Sequence, residues 1–202
     1  MTRIFGHIVA LCAVALLIAA CGSESESQNS PEATAQAGNR TNEQATQNNS
    51  SRISQISFTL EDVTGEERTA DEWIGEQPVV LNFWGSWCGF CRKETPDLVK
   101  LYDEYKPKGI EILGMTLRDT PEKAQAFADQ YGMEWPLLMA DLGLAQRFGI
   151  RGAPTTIFID AEGNIIQVPD ANGQMVDRFT GARDYETFKR AFEVLLEKSS
   201  AS

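Results

Sequence analysis

Val79-Val80-Leu81-Asn82-Phe83-Trp84-Gly85-Ser86-Trp87-Cys88-Gly89-Phe90-Cys91 is the stretch on which the fold and the chemistry of this chain turn. Val79 to Trp84 is β-prone and apolar on both faces, which predicts a central strand in a sheet covered on both sides. Beyond Cys91 the period changes. Leu98, Leu101, Tyr102 and Tyr105 recur at helical spacing, so the strand delivers Cys88 to a helix N-terminus. Unpaired backbone N–H groups and the positive end of the helix dipole favour a thiolate there, and such sites lower a cysteine pKa from about 8.5 to roughly 3.5–7.5. Cys88 is therefore the candidate nucleophile. Cys91, one turn further in, can attack a mixed disulfide formed at Cys88 and release the partner.

Two other uses of the pair are weaker. A purely structural Cys88–Cys91 bridge closes too small a loop to stabilise much. A closed zinc site needs four ligands, and the chain offers only Cys12, Cys21 and His7 besides, all near the N-terminus. No metal or other cofactor is expected.

The N-terminus reads as an export signal. Arg3 precedes an apolar stretch from Ile8 to Ala20, shorter than the ~20 residues a membrane span takes. Ile18-Ala19-Ala20-Cys21 is similar to a bacterial lipoprotein cleavage site, which implies removal of residues 1–20 and lipidation of Cys21. Cys12 and His7 leave with the signal, so Cys88 and Cys91 are the thiols left for chemistry and a mature chain has no histidine for proton transfer. From Gly22 to Arg52 the chain is polar, with almost no large apolar side chain, and predicts a disordered tether (residues 21–52) of ~30 Å reach. A net charge of −11 argues against nucleic acid as a partner and against electrostatic adhesion to anionic lipid. Attachment to a membrane is expected through the lipid alone.

Residues 53–198 suffice for one domain, and 199–202 read as a disordered tail. Phe58–Val63 and Glu66–Thr69, around Thr64-Gly65, predict an N-terminal β-hairpin. The helix after Cys91 should run to about Tyr105 with a kink near Pro96. Ile110–Thr116 predicts a strand; Thr120-Pro121-Glu122 opens a helix that Gly132 ends. A strand at Leu137–Ala140 and a short helix from Leu142 to Phe148 follow. Thr155–Ile159 and Ile165–Val168 read as a hairpin continued by Met175–Phe179. Asp184 caps a last helix with Tyr185, Phe188, Phe192, Leu195 and Leu196 facing inward. The fold class is α/β with a mixed sheet flanked by helices.

Three motifs in this order, Asn82 to Cys91, Pro96, and Gly152-Ala153-Pro154-Thr155-Thr156, resemble the thioredoxin superfamily. Within it the chain is similar to the membrane-anchored TlpA/ResA/CcmG-like thiol-disulfide oxidoreductases, whose strand–helix insertion corresponds to residues 110–131. The resemblance implies a thioredoxin-like fold over nearly all of 53–198 and a cis Ala153–Pro154 bond beside the cysteines. That bend leaves the backbone of Ala153 free to pair with an extended substrate. Trp87, Gly89 and Phe90 complete the expected docking surface, Trp87 mainly as packing and Phe90 as the more exposed contact. Typical thioredoxins carry a buried aspartate where this chain has Asn82. The resemblance then offers Asp119 as proton acceptor for Cys91, with a part in starting the helix at Thr120 as the alternative; Glu94 is a weaker candidate for the proton role and otherwise reads as an exposed first-turn acid that complements the helix dipole.

The activity implied is reduction of disulfides in partner proteins such as apocytochrome c before haem attachment, outside the cytoplasm, with electrons from a membrane thiol carrier of the CcdA/DsbD type. An oxidising, disulfide-forming role is the rival, because Gly89-Phe90 differs from the dipeptides usual between such cysteines and that dipeptide tunes redox poise. A Sco-like copper metallochaperone fits less well, since those proteins resemble C-x3-C with a distant histidine. A peroxiredoxin is disfavoured by Gly85, which stands where that family needs threonine.

Overall fold

The computed structural model describes residues 56–200. The signal segment, Cys21 and the tether lie outside the described residues, as do 201–202. At the centre is a five-stranded mixed sheet. Strand β3 (Val79–Trp84) is buried along its whole length. It runs parallel to β4 (Glu111–Leu117), which in turn runs parallel to β5 (Leu137–Ala140). On its other side β3 pairs antiparallel with β6 (Thr155–Ile159), whose outer neighbour is β9 (Arg178–Thr180).

The period of two along β3 sorts its side chains into two cores. Val80 and Trp84 face helices α1 (Gly89–Tyr105), α2 (Pro121–Tyr131) and α4 (Tyr185–Ser200), packed among Leu98, Leu101, Phe127, Phe188 and Phe192. Val79, Leu81 and Phe83 face the opposite layer, with Phe58, Leu60 and Trp73 from the N-terminal segment and Leu144 and Phe148 from around α3 (Leu142–Arg147). That layer carries the predicted hairpin, β1 (Thr59–Glu61) against β2 (Glu67–Thr69). Pro96 lies inside α1 and the helix continues through it. Helix α2 starts and stops at its predicted residues: Thr120 Oγ1 accepts the Lys123 N–H, Pro121 opens the first turn, and Gly132 closes the end at φ 71°. None of the helices among the described residues is long and apolar enough to cross a membrane.

Three expectations need correction. Ile165 meets Ile159 through a single bridge rather than a hairpin; β7 (Val168–Pro169) pairs with β8 (Met175–Val176) in a separate ribbon. Asp160 bends the chain after β6 by accepting N–H groups of Glu162 and Asn164, and Asp170 does the same for Asn172 and Gln174. The expected strand Met175–Phe179 is broken at Asp177, and only its second part reaches the central sheet. Helix α4 extends to Ser200, into the stretch 199–202 read as a disordered tail, and the Ser199 and Ser200 hydroxyls donate to the Leu195 and Leu196 carbonyls.

Candidate active site

Cys88 stands at the cap position of α1 in extended conformation, and its Sγ accepts the Cys91 N–H at 3.1 Å. The strand-to-helix turn thus aims the first free N–H groups of the helix at this sulfur, the arrangement that stabilises negative charge there. Cys88 and Cys91 form a disulfide with their Cα atoms 5.3 Å apart, and both are buried. Access to them is from the side where Trp87 and Phe90 lie open, 49% and 61% exposed. Trp87 is therefore more surface than core, contrary to expectation. Its indole N–H donates to the Leu117 carbonyl at 2.9 Å, which ties the ring's edge to the end of β4.

Gly85 makes that placement possible. A Cβ at this position would lie 2.4 Å from Trp87 Nε1 and 3.0 Å from the Leu117 carbonyl oxygen, too close for any side chain unless the indole moves. The residue that sets this site apart from a threonine-bearing peroxide site is thus also the one that seats Trp87.

The second arm of the site is the Gly152–Pro154 loop. Phe83 is paired with Thr155, so the loop just before β6 emerges at the same end of the sheet as the Cys88 turn. The Ala153–Pro154 bond is cis. The Pro154 carbonyl accepts the Gly181 N–H, whereas the backbone of half-buried Ala153 has no hydrogen-bond partner among the described residues. An extended peptide laid over Cys88 would find that edge open.

Asp119 reaches the site from the end of β4. One carboxylate oxygen accepts the Ser86 N–H at 2.6 Å and the other the Thr120 N–H, so it braces the turn two residues before Cys88. Glu94 is the larger surprise. It is 1% exposed, not an open first-turn acid, and lies one turn beyond Cys91 on the same helix. Burial pushes its carboxyl up to about 7, against the opposing effect of hydrogen bonds from Asn82 and the Arg183 N–H. Asn82 Nδ2 donates to Glu94 Oε1 at 3.0 Å and to Thr156 Oγ1 at 3.1 Å. The carboxylate missing from β3 is replaced by one reaching in from α1 and held by the strand's amide. The i, i+3 step from Cys91 to Glu94 is the one sequence signal that could have placed it beside the cysteine pair. Among the described residues no three His, Cys, Asp or Glu side chains gather as metal ligands would.

The AhpC/TSA family profile matches residues 54–168. The chain is 39% identical over 127 residues to the thiol-disulfide oxidoreductase ResA of Halalkalibacterium halodurans, covering 61% of this chain and 72% of that protein. It is 31% identical to ResA of Bacillus subtilis over 112 residues, which are 55% of this chain and 62% of that one. Among solved structures, a secreted Mycobacterium tuberculosis disulfide oxidoreductase homologous to E. coli DsbE superposes with a TM-score of 0.59 at 23% identity, over 70% of this chain and 98% of its own. A Chlorobium tepidum protein described as a thiol:disulfide interchange protein DsbE gives 0.58 at 26% identity, over 69% and 93%. With its thioredoxin-like fold and Cys88–Cys91 pair, the chain belongs to the AhpC/TSA family and groups there with the thiol-disulfide oxidoreductases of the ResA type.

Proposed function

We propose that this protein is a reductase of disulfides in partner proteins, working outside the cytoplasm and held to a membrane by a lipid on Cys21. The observation that carries the chemistry is the Cys88 sulfur at the α1 N-terminus with a buried carboxyl, poised near neutrality, one turn behind Cys91. In the reduced protein the Cys88 thiolate attacks one sulfur of a partner disulfide and the other partner sulfur leaves as a thiolate. Cys91 then gives its proton to the Glu94 carboxylate and attacks the Cys88 sulfur, expelling the second partner thiolate. The partner gains two electrons and this chain regains its disulfide. Asp119, anchored on Ser86, keeps the turn in place, and Trp87, Gly89, Phe90, Ala153 and Pro154 receive the substrate.

Apocytochrome c awaiting haem is the substrate that the resemblance favours, with a CcdA/DsbD-type membrane carrier as electron source. Equilibration with glutathione tests the direction: a potential well below about −200 mV is expected, and one near about −120 mV would reverse the assignment. Cys91→Ser, which stops resolution, should accumulate partners as mixed disulfides on Cys88. Identification of those adducts names the substrate, and the absence of any adduct would remove the proposed attack.

A further inference from the structure

We propose that the face around Cys88 selects disulfides embedded in acidic polypeptide, an inference that rests on the thiol-disulfide exchange proposed above. The chain carries 29 acidic against 18 basic residues, yet four exposed cations lie on the segments that flank the cysteine pair. Arg92 and Lys93 occupy the first turn of α1. Arg118 directly follows β4, its guanidinium carbon 5.2 Å from the centre of the Trp87 ring. Lys93 Nζ is likewise 5.2 Å from the Phe90 ring, and Arg92 lies over Phe127 while donating to the Ser86 carbonyl. Arg151 opens the loop that carries the cis Ala153–Pro154 bond.

None of the four is within ion-pair distance of a carboxylate among the described residues. The two nearest acids by sequence are turned away from the role: Asp119 is engaged with backbone N–H groups and Glu94 is buried. Lys93 and Arg118, seated on the open Phe90 and Trp87 rings, leave their charge without a carboxylate beside the very surface a substrate must touch. An acidic body with a cationic reaction face repels acidic partners in every other orientation and attracts them in this one. Such complementarity acts mainly on the encounter rate and is screened by salt.

The test uses the reduced protein and three cystine peptides alike around the disulfide, flanked by Glu, Gln or Lys residues, with uncharged 2-hydroxyethyl disulfide as a fourth substrate. Second-order rate constants at an ionic strength of about 0.01 M should rank Glu over Gln over Lys, by about tenfold per step, and converge at about 1 M. Arg118→Glu combined with Arg151→Glu should invert the Glu-to-Lys ratio, a readout internal to each preparation. Equal rates for the three peptides at low salt, or a faster Lys peptide, while 2-hydroxyethyl disulfide is still reduced, would overturn the charge selection and leave the exchange chemistry standing. No reaction with any of the four would overturn both.

Discussion

Glu94 couples the stability of the fold to the exchange chemistry through one buried carboxyl. Its carboxyl is raised from 4.5 to about 7, so the folded state holds a proton there that the unfolded chain releases earlier. The stability contributed is full below pH 4.5 and is lost as pH rises through about 7, a fall of about 3 kcal/mol. Glu94→Gln stays neutral throughout, so denaturant titrations at several pH values should show that slope removed. If Glu94 also takes the Cys91 proton, the same variant should slow release of a mixed disulfide by about 100-fold or more and abolish the inflection near pH 7. Asp119→Asn separates the two carboxylates. It should lower the exchange rate by loosening the Ser86 turn while the inflection near 7 persists; loss of that inflection would return the proton role to Asp119.

Among the elements, those with a local signature were legible in the sequence. Strand β3 is continuous apolar chain, and α2 carries its own cap, first-turn proline and closing glycine. Helix α4 is the same case: Asp184 Oδ1 accepts the Thr187 N–H at 2.9 Å, and hydrogen bonds from the Thr187 hydroxyl and then from its N–H hold the aspartate's pKa below the ordinary carboxylate value. Asp184→Ala should therefore cost about 1 kcal/mol in urea unfolding near neutral pH and progressively less in acid, where the native carboxylate too becomes protonated. The chain between Asp160 and Thr180 was not legible, because turns built by Asp160 and Asp170 compete with a hairpin pattern of equal local merit. Glu94 was missed for a related reason. A charged residue in a first turn looks solvated until β3 brings Asn82 beneath it and the β9–α4 connection brings Arg183 above. The Trp87 position was equally hidden, since only the close pass of its ring over Gly85 brings the indole to Leu117. Gly85→Ala tests that pass: the indole should lose its bond to the Leu117 carbonyl, seen as a red shift of its fluorescence, and peptide disulfides should be reduced more slowly.

At the scale of the whole molecule, the direction of electron flow and the stability of the fold are one quantity. The thermodynamic cycle linking folded and unfolded, oxidised and reduced chains makes the difference in unfolding free energy between the two redox forms equal to the difference in potential between the native pair and the same pair in the unfolded chain. For a two-electron couple, about 30 mV corresponds to about 1.4 kcal/mol. A strong oxidant achieves its high potential because its folded reduced form is the more stable one. A reductase needs the opposite: the fold must favour the disulfide, so that delivering electrons to a partner is downhill. The helix N-terminus at Cys88 favours a thiolate and so acts against this. Glu94 acts with it, because a carboxylate left beside a reduced Cys91 disfavours ionisation of the thiol pair. Urea unfolding of the oxidised and the reduced protein at neutral pH should therefore show the oxidised form to be the more stable. A more stable reduced form would mean that the helix dipole outweighs the buried acid and that the protein donates disulfides instead of removing them.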